Sequence, residues 1–196
     1  MFKALRYTSL ACVPLMLAAL HAQANWYLDG ESSRLSFVST KNASIAEVQR
    51  FLVLHGKVDQ DGLARVQVEL DSINSGIPLR DERMRKDLFE IKAFPEALIS
   101  AQIDLRPIKD LAPGAQLELR LPVTISLHGK QHTYNAELLA TRLDEQRFQV
   151  VTLEPLVLNA ADFDLLPGVE ALRQAAGLSV INPSVPVGAV LIFTAR

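Results

Sequence analysis

The chain has 196 residues, of which 49% are hydrophobic, and a formal net charge of −2 at pH 7. Its 20 Lys and Arg stand against 22 Asp and Glu. This balance argues against a nucleic acid as partner, because surfaces that bind polyanions are strongly basic. The only cysteine is Cys12, so that a disulfide framework within the chain is excluded.

The first 24 residues have the three parts of a signal peptide. Lys3 and Arg6 form a basic region, residues 10–20 (LACVPLMLAAL) form an apolar core, and residues 22–24 (AQA) form a small-residue cleavage site. The core is too short to span a bilayer, which disfavours an uncleaved anchor. We expect cleavage after residue 24 and export of a mature chain that begins at Asn25.

Export also changes the composition of the mature chain. Loss of Lys3 and Arg6 leaves 18 basic and 22 acidic residues, a net charge of −4. Loss of Cys12 excludes a thiol nucleophile and a thiolate metal site. A lipoprotein anchored through Cys12 is disfavoured, because Ser9 stands where a lipobox has an aliphatic residue. We therefore interpret residues 1–24 as a signal peptide and residues 25–196 as one domain.

The mature chain is dominated by alternation of apolar and polar residues. In residues 63–70 (LARVQVEL), Ala64, Val66, Val68 and Leu70 share one face, and the same period recurs in residues 34–37, 99–105, 117–121 and 185–193. One-sided alternation in many strands is typical of an antiparallel sheet with one wet face. About eight such strands, with no linker, predict an all-β fold closed into a barrel rather than an open sheet.

One charged segment, residues 72–95, interrupts the strand pattern. Met84, Leu88 and Ile91 fall at helical spacing and predict a helix over residues 80–91 with one apolar stripe. We expect it to act as a lid or plug over the barrel. A second short helix is predicted over residues 168–176, ending at Gly177. Opposite charges at i,i+4 spacing in the first helix predict three ion pairs: Glu82/Lys86, Arg83/Asp87 and Lys86/Glu90.

Several short motifs follow one another along the mature chain. It reads WYLD at residues 26–29, SRLSF at 33–37 and F-x-x-x-x-G-x-V at 51–58. The most specific segment, residues 80–95, begins with RD, contains LF and ends with FP. After it come LHG at 127–129, DF at 162–163 and VPV at 185–187. In this order the motifs resemble the YceI-like family over nearly the whole mature chain. Three residues differ from the family's common pattern: Gln49 and Asp164 stand where many members have Gly, and Arg83 where His is common.

The resemblance implies a lipocalin-like antiparallel barrel, exported to the bacterial periplasm, with one or two short helices. It also implies that the barrel carries a long polyisoprenoid or an isoprenoid quinone and needs no other cofactor.

If the barrel holds such a lipid, inward-facing apolar residues must line it, since each buried methylene contributes about 0.8 kcal/mol and needs no hydrogen bond. A polar head would stay at the barrel mouth, where the helix offers the guanidinium groups of Arg80, Arg83 and Arg85. For Arg80 and Asp81 a structural role is the competing interpretation and the favoured one. The predicted lining residues are Leu35, Phe37, Val66, Val68, Leu70, Ile103, Leu119 and Leu121.

No catalytic motif is readable in the mature chain. Its histidines are His55, His128 and His132. A hairpin is expected to bring His128 and His132 near one another, but a turn with two solvated imidazoles is favoured over a metal site. Asp162 and Asp164 are interpreted as turn formers rather than as an acid/base pair.

These observations predict a periplasmic lipid-binding protein and not an enzyme. Two alternatives stay open: an enzyme that acts on a bound apolar substrate, and a ligand-free barrel that binds a membrane protein. We expect no stable membrane insertion after signal cleavage, and a homodimer is left open.

Overall fold

The computed structural model describes residues 25–196, so that the predicted signal peptide lies outside the described residues. In this part the backbone forms twelve strands and three α-helices. The strands are β1 (Trp26–Leu28), β2 (Arg34–Lys41), β3 (Ile45–Phe51), β4 (Leu54–Val58), β5 (Leu63–Glu69), β6 (Ile73–Asn74), β7 (Glu96–Gln102), β8 (Gln116–Leu127), β9 (Lys130–Arg142), β10 (Arg147–Thr152), β11 (Leu156–Asn159) and β12 (Ser184–Ala195). The helices are α1 (Pro78–Arg83), α2 (Arg106–Lys109) and α3 (Leu166–Ala175).

Eight of the strands close into an antiparallel barrel. Around the ring the order is β1-β4-β5-β7-β8-β9-β10-β12, and β12 returns to β1. Trp26 closes the ring, because its backbone pairs with Val58 on β4 and with Ala195 on β12. The predicted closed barrel with a few short helices is confirmed.

The long strand β12 runs from one end of the barrel to the other. Its first half pairs with β11 and β2, and its second half pairs with β10 and β1. From β2 the sheet continues outward through β3 to β6. We call the end near Val185, where this extension lies, the lid end, and the end near Phe193 the far end.

The predicted helix over residues 80–91 forms in two pieces. α1 runs directly into a π-helical turn, Met84–Leu88, in which the Phe89 N–H donates to the Met84 carbonyl at 2.9 Å. The predicted apolar stripe is confirmed, because Met84 is buried and Leu88 and Ile91 pack against the core. We call residues 78–91 the lid.

The three predicted i,i+4 ion pairs of this helix were wrong: none of them forms among the described residues. A π turn bonds each residue to the fifth along, so that the side chains leave the register that i,i+4 pairs need. Arg83 and Arg85 find partners outside the lid instead.

Two other boundaries differ from the predicted ones. β7 ends at Gln102, whereas the alternation suggested a strand as far as Leu105. The Asp104 carboxylate accepts the Arg106 N–H at 3.1 Å, and Pro107 stands in the first turn of α2, so that a short helix replaces the strand end. α3 begins two residues before the predicted start and ends one residue before the predicted end.

Candidate functional site

The barrel encloses a first cavity of about 170 Å³, here the central cavity. Its wall is formed mostly by inward-facing residues of the ring strands, together with Leu35 of β2, Leu156 of β11 and Ile108 of α2. At the far end Trp26 and Phe148 narrow it, their ring centroids 4.8 Å apart in an edge-to-face contact. Other lining residues are Val58, Ala64, Val66, Ala101, Ile103, Leu121, Val123, Ala136, Leu138, Ala140, Val150, Leu191 and Phe193.

A second cavity of about 140 Å³, here the lid cavity, lies under the lid. Leu88 and Phe89 of the lid line it, together with Phe163 and with Val169 of α3. Leu35, Ile99, Ile125 and Val187 line both cavities. The two cavities are therefore adjacent parts of one elongated apolar site.

Small residues at inward positions leave this space open. Ala136 and Ala140 of β9, and Ala64 and Ala101 on the neighbouring pair β5 and β7, all face the central cavity. In a barrel of about eight strands, larger side chains at such positions would fill the interior. The alternation that builds the strands thus also builds an apolar wall, and the small residues in it make room.

A close helix contact fixes the lid. Gly168, in the first turn of α3, lies so near the π turn that a Cβ there would stand 2.6 Å from the Asp87 carbonyl oxygen and 2.7 Å from the Leu88 Cα. Only glycine permits this approach. Leu88 is thereby held between α3 and the barrel, where it lines the lid cavity.

The structure places seven of the eight predicted lining residues at a cavity wall. Val66, Ile103 and Leu121 line the central cavity, Phe37, Val68 and Leu70 line the lid cavity, and Leu35 lines both. Leu119 is half-buried on the same face of β8 as Leu121 but lines neither cavity.

The three arginines predicted for a head group are held by protein groups, and none of them lines either cavity. Arg83 donates to the Ala175 carbonyl at 3.0 Å, at the C-terminal end of α3. Arg85 lies 3.3 Å from the carboxylate of Asp71.

Arg80 has a structural setting of its own. It forms an ion pair with Glu47 of β3 and donates to the hydroxyl and the carbonyl of Ser75, each at 2.8 Å. The buried Asp81 accepts the Ser75 N–H at 2.8 Å. A hydrogen bond from Lys41, together with Arg80, holds the pKa of the Glu47 carboxyl below its ordinary value. These contacts favour the structural role over head-group binding.

The two histidines near the β8–β9 turn have different partners and different exposure. His128 Nδ1 lies 3.2 Å from the Phe163 carbonyl oxygen, and its ring packs on Phe94 with centroids 4.5 Å apart. The interpretation of His128 as solvated was wrong, because its side chain is only 14% exposed. His132 turns to Asp162 instead. Among residues 25–196 no cluster of three or more metal-ligating side chains is present.

The two aspartates near the end of β11 contact side chains of β9. Asp164 adopts φ +54°, a left-handed conformation that glycine favours, and its carboxylate pairs with Lys130 at 2.9 Å. Asp162 accepts the Tyr134 hydroxyl at 2.7 Å. Burial, reinforced by that bond, raises the pKa of Tyr134 to about 12.

Several lining residues were not among the predicted ones. Ile125 and Val187 follow the same alternation as the predicted residues, so the signal was present in the sequence. Phe89 and Phe163 come from helical turns, where period-two alternation gives no indication of an inward position. No helix within the described residues is long and apolar enough to cross a membrane.

Fold and site together define a closed antiparallel β-barrel with an apolar interior site beneath a helical lid, the lipocalin-like class. The chain belongs to the YceI-like family, whose domain matches residues 26–193. It is similar to a polyisoprenoid binding domain from Saccharophagus degradans implicated in plant cell wall breakdown. The two are 37% identical with a TM-score of 0.86, over 87% of this chain and 98% of the other.

Two more distant structures share the fold. BcnA of Burkholderia cenocepacia is 17% identical with a TM-score of 0.62, over 84% of this chain and 98% of the other. The YceI protein of Campylobacter jejuni is 12% identical with a TM-score of 0.53, over 76% of this chain and 84% of the other. No curated protein matches the chain at a significant level.

Proposed function

We propose that this protein binds a long apolar isoprenoid lipid, a polyisoprenoid or an isoprenoid quinone, inside its barrel and carries it through the periplasm. The observation that carries the proposal is the elongated site formed by the central and lid cavities, whose shared wall is aliphatic. Membership of the YceI-like family and the similarity to a polyisoprenoid binding domain support it. The same comparisons favour a binding protein over an enzyme.

The size of the site sets how much lipid it holds. A cavity of about 150 Å³ lined by aliphatic and aromatic side chains admits benzene. Cavities of about 170 and 140 Å³ therefore accept on the order of twelve carbon atoms, or roughly two to three isoprene units. At about 0.8 kcal/mol per methylene, their burial contributes about 10 kcal/mol before ordering costs. A longer chain has to emerge at one end of the barrel.

Delivery to the periplasm rests on the N-terminal sequence. A basic region, a short apolar core and an A-x-A site within residues 1–24 support export and cleavage. A water-insoluble isoprenoid in that compartment needs a protein that shields its chain, and an apolar cavity does so without covalent attachment.

Native mass spectrometry of the protein purified from the periplasm of its own host tests the proposal. We expect a fraction with the mass of the mature chain plus one prenyl lipid, which organic extraction removes and identifies. Protein produced in the cytoplasm without residues 1–24 serves as the control and should bind an added C15 prenyl probe. An empty barrel from the periplasm, together with no uptake of the probe, contradicts the proposal.

A further inference from the structure

Lys109 of α2 differs in charge from every other described residue in the walls of the two cavities. All the others that line the central or the lid cavity are uncharged. Lys109 lies at the far end, because its carbonyl accepts a hydrogen bond from Arg142 at 2.8 Å, and the Arg142 guanidinium lies 5.4 Å from the ring centroid of Phe148. A charge is costly inside an apolar cavity, so that the Lys109 ammonium group belongs in solvent at this end of the barrel.

The ammonium group of Lys109 has no partner in the part of the chain that the structure describes. The residue is exposed, and its side chain forms no hydrogen bond or ion pair there. The two nearest carboxylates along the chain do not neutralise it. Asp104 pairs with Arg106 at 2.7 Å, and Asp110 forms no ion pair with a described residue. A cation at the edge of the central cavity is therefore available to an anion.

The uncharged polar residues of the walls offer less to a ligand. Thr152 Oγ1 accepts the Ala189 N–H at 3.1 Å, and Asn159 Oδ1 accepts the Ala161 N–H at 3.0 Å. Ser100 stands between two inward-facing residues of β7, so that the alternation places its side chain on the outer face. At the lid end, the arginines predicted for a head group are held by protein groups. The available cation thus lies at the opposite end from the one that the sequence suggested.

We propose that Lys109 is the head-group residue of this site and binds an anionic head group of the isoprenoid, whose chain then runs from the far end towards the lid end. An ammonium group forms charge-assisted hydrogen bonds with a phosphate or a carboxylate, which a neutral alcohol or ether does not match. The anion stays hydrated at the end of the barrel while the chain leaves water, so that no charge has to be buried. The inference rests on the proposed function and adds the chemistry of the head group and its position in the barrel.

The test measures the ratio of the dissociation constants of farnesol and farnesyl phosphate, which share one C15 chain. Trp26 is the only tryptophan of the chain and lines the central cavity, so that its fluorescence reports binding without a label. Lys109→Met keeps an unbranched apolar stem and removes the charge. In low salt it should lower the preference for the phosphate three- to fivefold, as expected for one exposed ion pair, and leave the affinity for farnesol within twofold.

Two variants serve as controls. Lys109→Arg retains the positive charge and should retain the wild-type ratio. Lys57→Met removes a cation from β4 at a position that lines neither cavity, where the Lys57 ammonium lies 5.9 Å from the ring centroid of Tyr27. It changes the net charge of the protein as Lys109→Met does and should leave the ratio unchanged.

An unchanged ratio in Lys109→Met overturns the head-group assignment, and so does an equal fall in Lys57→Met, which would indicate net charge rather than one contact. The wild type decides even if Lys109→Met fails to fold. Because salt screens an exposed ion pair, about 0.5 M NaCl should weaken binding of farnesyl phosphate relative to farnesol, and a ratio that salt does not change overturns the assignment.

A further arm separates a lipid head group from free phosphate. Inorganic phosphate at about 1 mM, at constant ionic strength, should leave the ratio unchanged. Loss of the preference under that condition, with binding of farnesol intact, would show that the residue binds free phosphate and would overturn the lipid assignment. If neither farnesol nor farnesyl phosphate binds the wild type, the proposed function itself fails, and this inference fails with it.

Discussion

Blocking the lid cavity should remove a large and measurable part of the lipid affinity. Val68 is 2% exposed, lies on β5 and lines the lid cavity of about 140 Å³, so that Val68→Phe directs a ring into it. That cavity holds roughly half of the twelve carbon atoms, which at about 0.8 kcal/mol each amounts to about 5 kcal/mol. Loss of even half of this weakens binding roughly sixtyfold, at 1.4 kcal/mol per tenfold.

A competition assay with a fluorescent prenyl probe measures the effect, and far-UV circular dichroism and thermal unfolding show that the fold is retained. Overpacking is expected to lower stability by about 1–3 kcal/mol, which a domain of this size tolerates. Arg65→Phe adds the same ring on the exposed face of the same strand and should leave affinity unchanged. If Val68→Phe folds and binds the probe as the wild type does, the interior site is wrong.

Three further predictions follow from the polar contacts and the N-terminus. The lowered pKa of Glu47 means that its ion pairs stabilise the fold above about pH 4.5, its unfolded value, and that this contribution is lost as pH falls through the lower folded value. Glu47→Gln should therefore reduce the urea midpoint more at pH 7 than in acid, and equal reductions at both pH values would refute the argument. Tyr134 should ionise near pH 12, so that its contribution to stability is lost between about pH 10 and 12. A pH titration followed by absorbance at 295 nm should show a component near pH 12 that is missing in Tyr134→Phe. The intact mass of the exported protein should correspond to a chain that begins at Asn25, and retention of residues 1–24 would contradict cleavage.

Local alternation was sufficient to predict the barrel and much of its wall. In β5, Val66 and Val68 alternate with charged and polar neighbours, and a period of two leaves only the choice of which face is buried. The strand residues that line the two cavities follow from that choice, whereas the lining residues from helical turns do not. The capped turn at Asp104 was harder to recognise, because one side-chain acceptor and one proline outweigh an alternation that continues through Ile103 to Leu105.

The polar part of the site could not be predicted in the same way. Arg80, Arg83 and Arg85 are head-group candidates by their chemistry, with a structural role favoured for Arg80. The carboxylates that pair with Arg80 and Arg85 belong to Glu47 and Asp71, outside the lid. Sequence spacing does not reveal that a carboxylate from another strand is already within reach. Gln49 carried a signal as well, a large polar residue where glycine is common, but the sequence does not show that its side chain is buried.

We expect a chain longer than the cavities to enter and leave at the far end of the barrel. α2 covers this end, since Ile108 and Lys109 line the central cavity beside Leu105. Arg142 ties the segment down, because its Nη1 donates to the Lys109 and Leu111 carbonyls at 2.8 and 3.1 Å, and its guanidinium lies 5.4 Å from the ring centroid of Phe148.

The Arg142 side chain is only 13% exposed, and hydrogen bonds from a charged donor are worth about 1.5–3 kcal/mol each. Arg142→Met should therefore make displacement of α2 easier by at least about 1.5 kcal/mol, which is roughly tenfold in rate. Stopped-flow binding of a C15 prenyl probe should show faster association and faster dissociation with nearly unchanged affinity, because the cavity wall itself is intact. Arg147→Met, which removes an exposed ion pair with Asp144 nearby, is the control and should change neither rate. Unchanged rates in Arg142→Met would show that the lipid passes through another part of the barrel. The lid would then be the next candidate, since Leu88 is held there only by packing against α3 and the barrel wall.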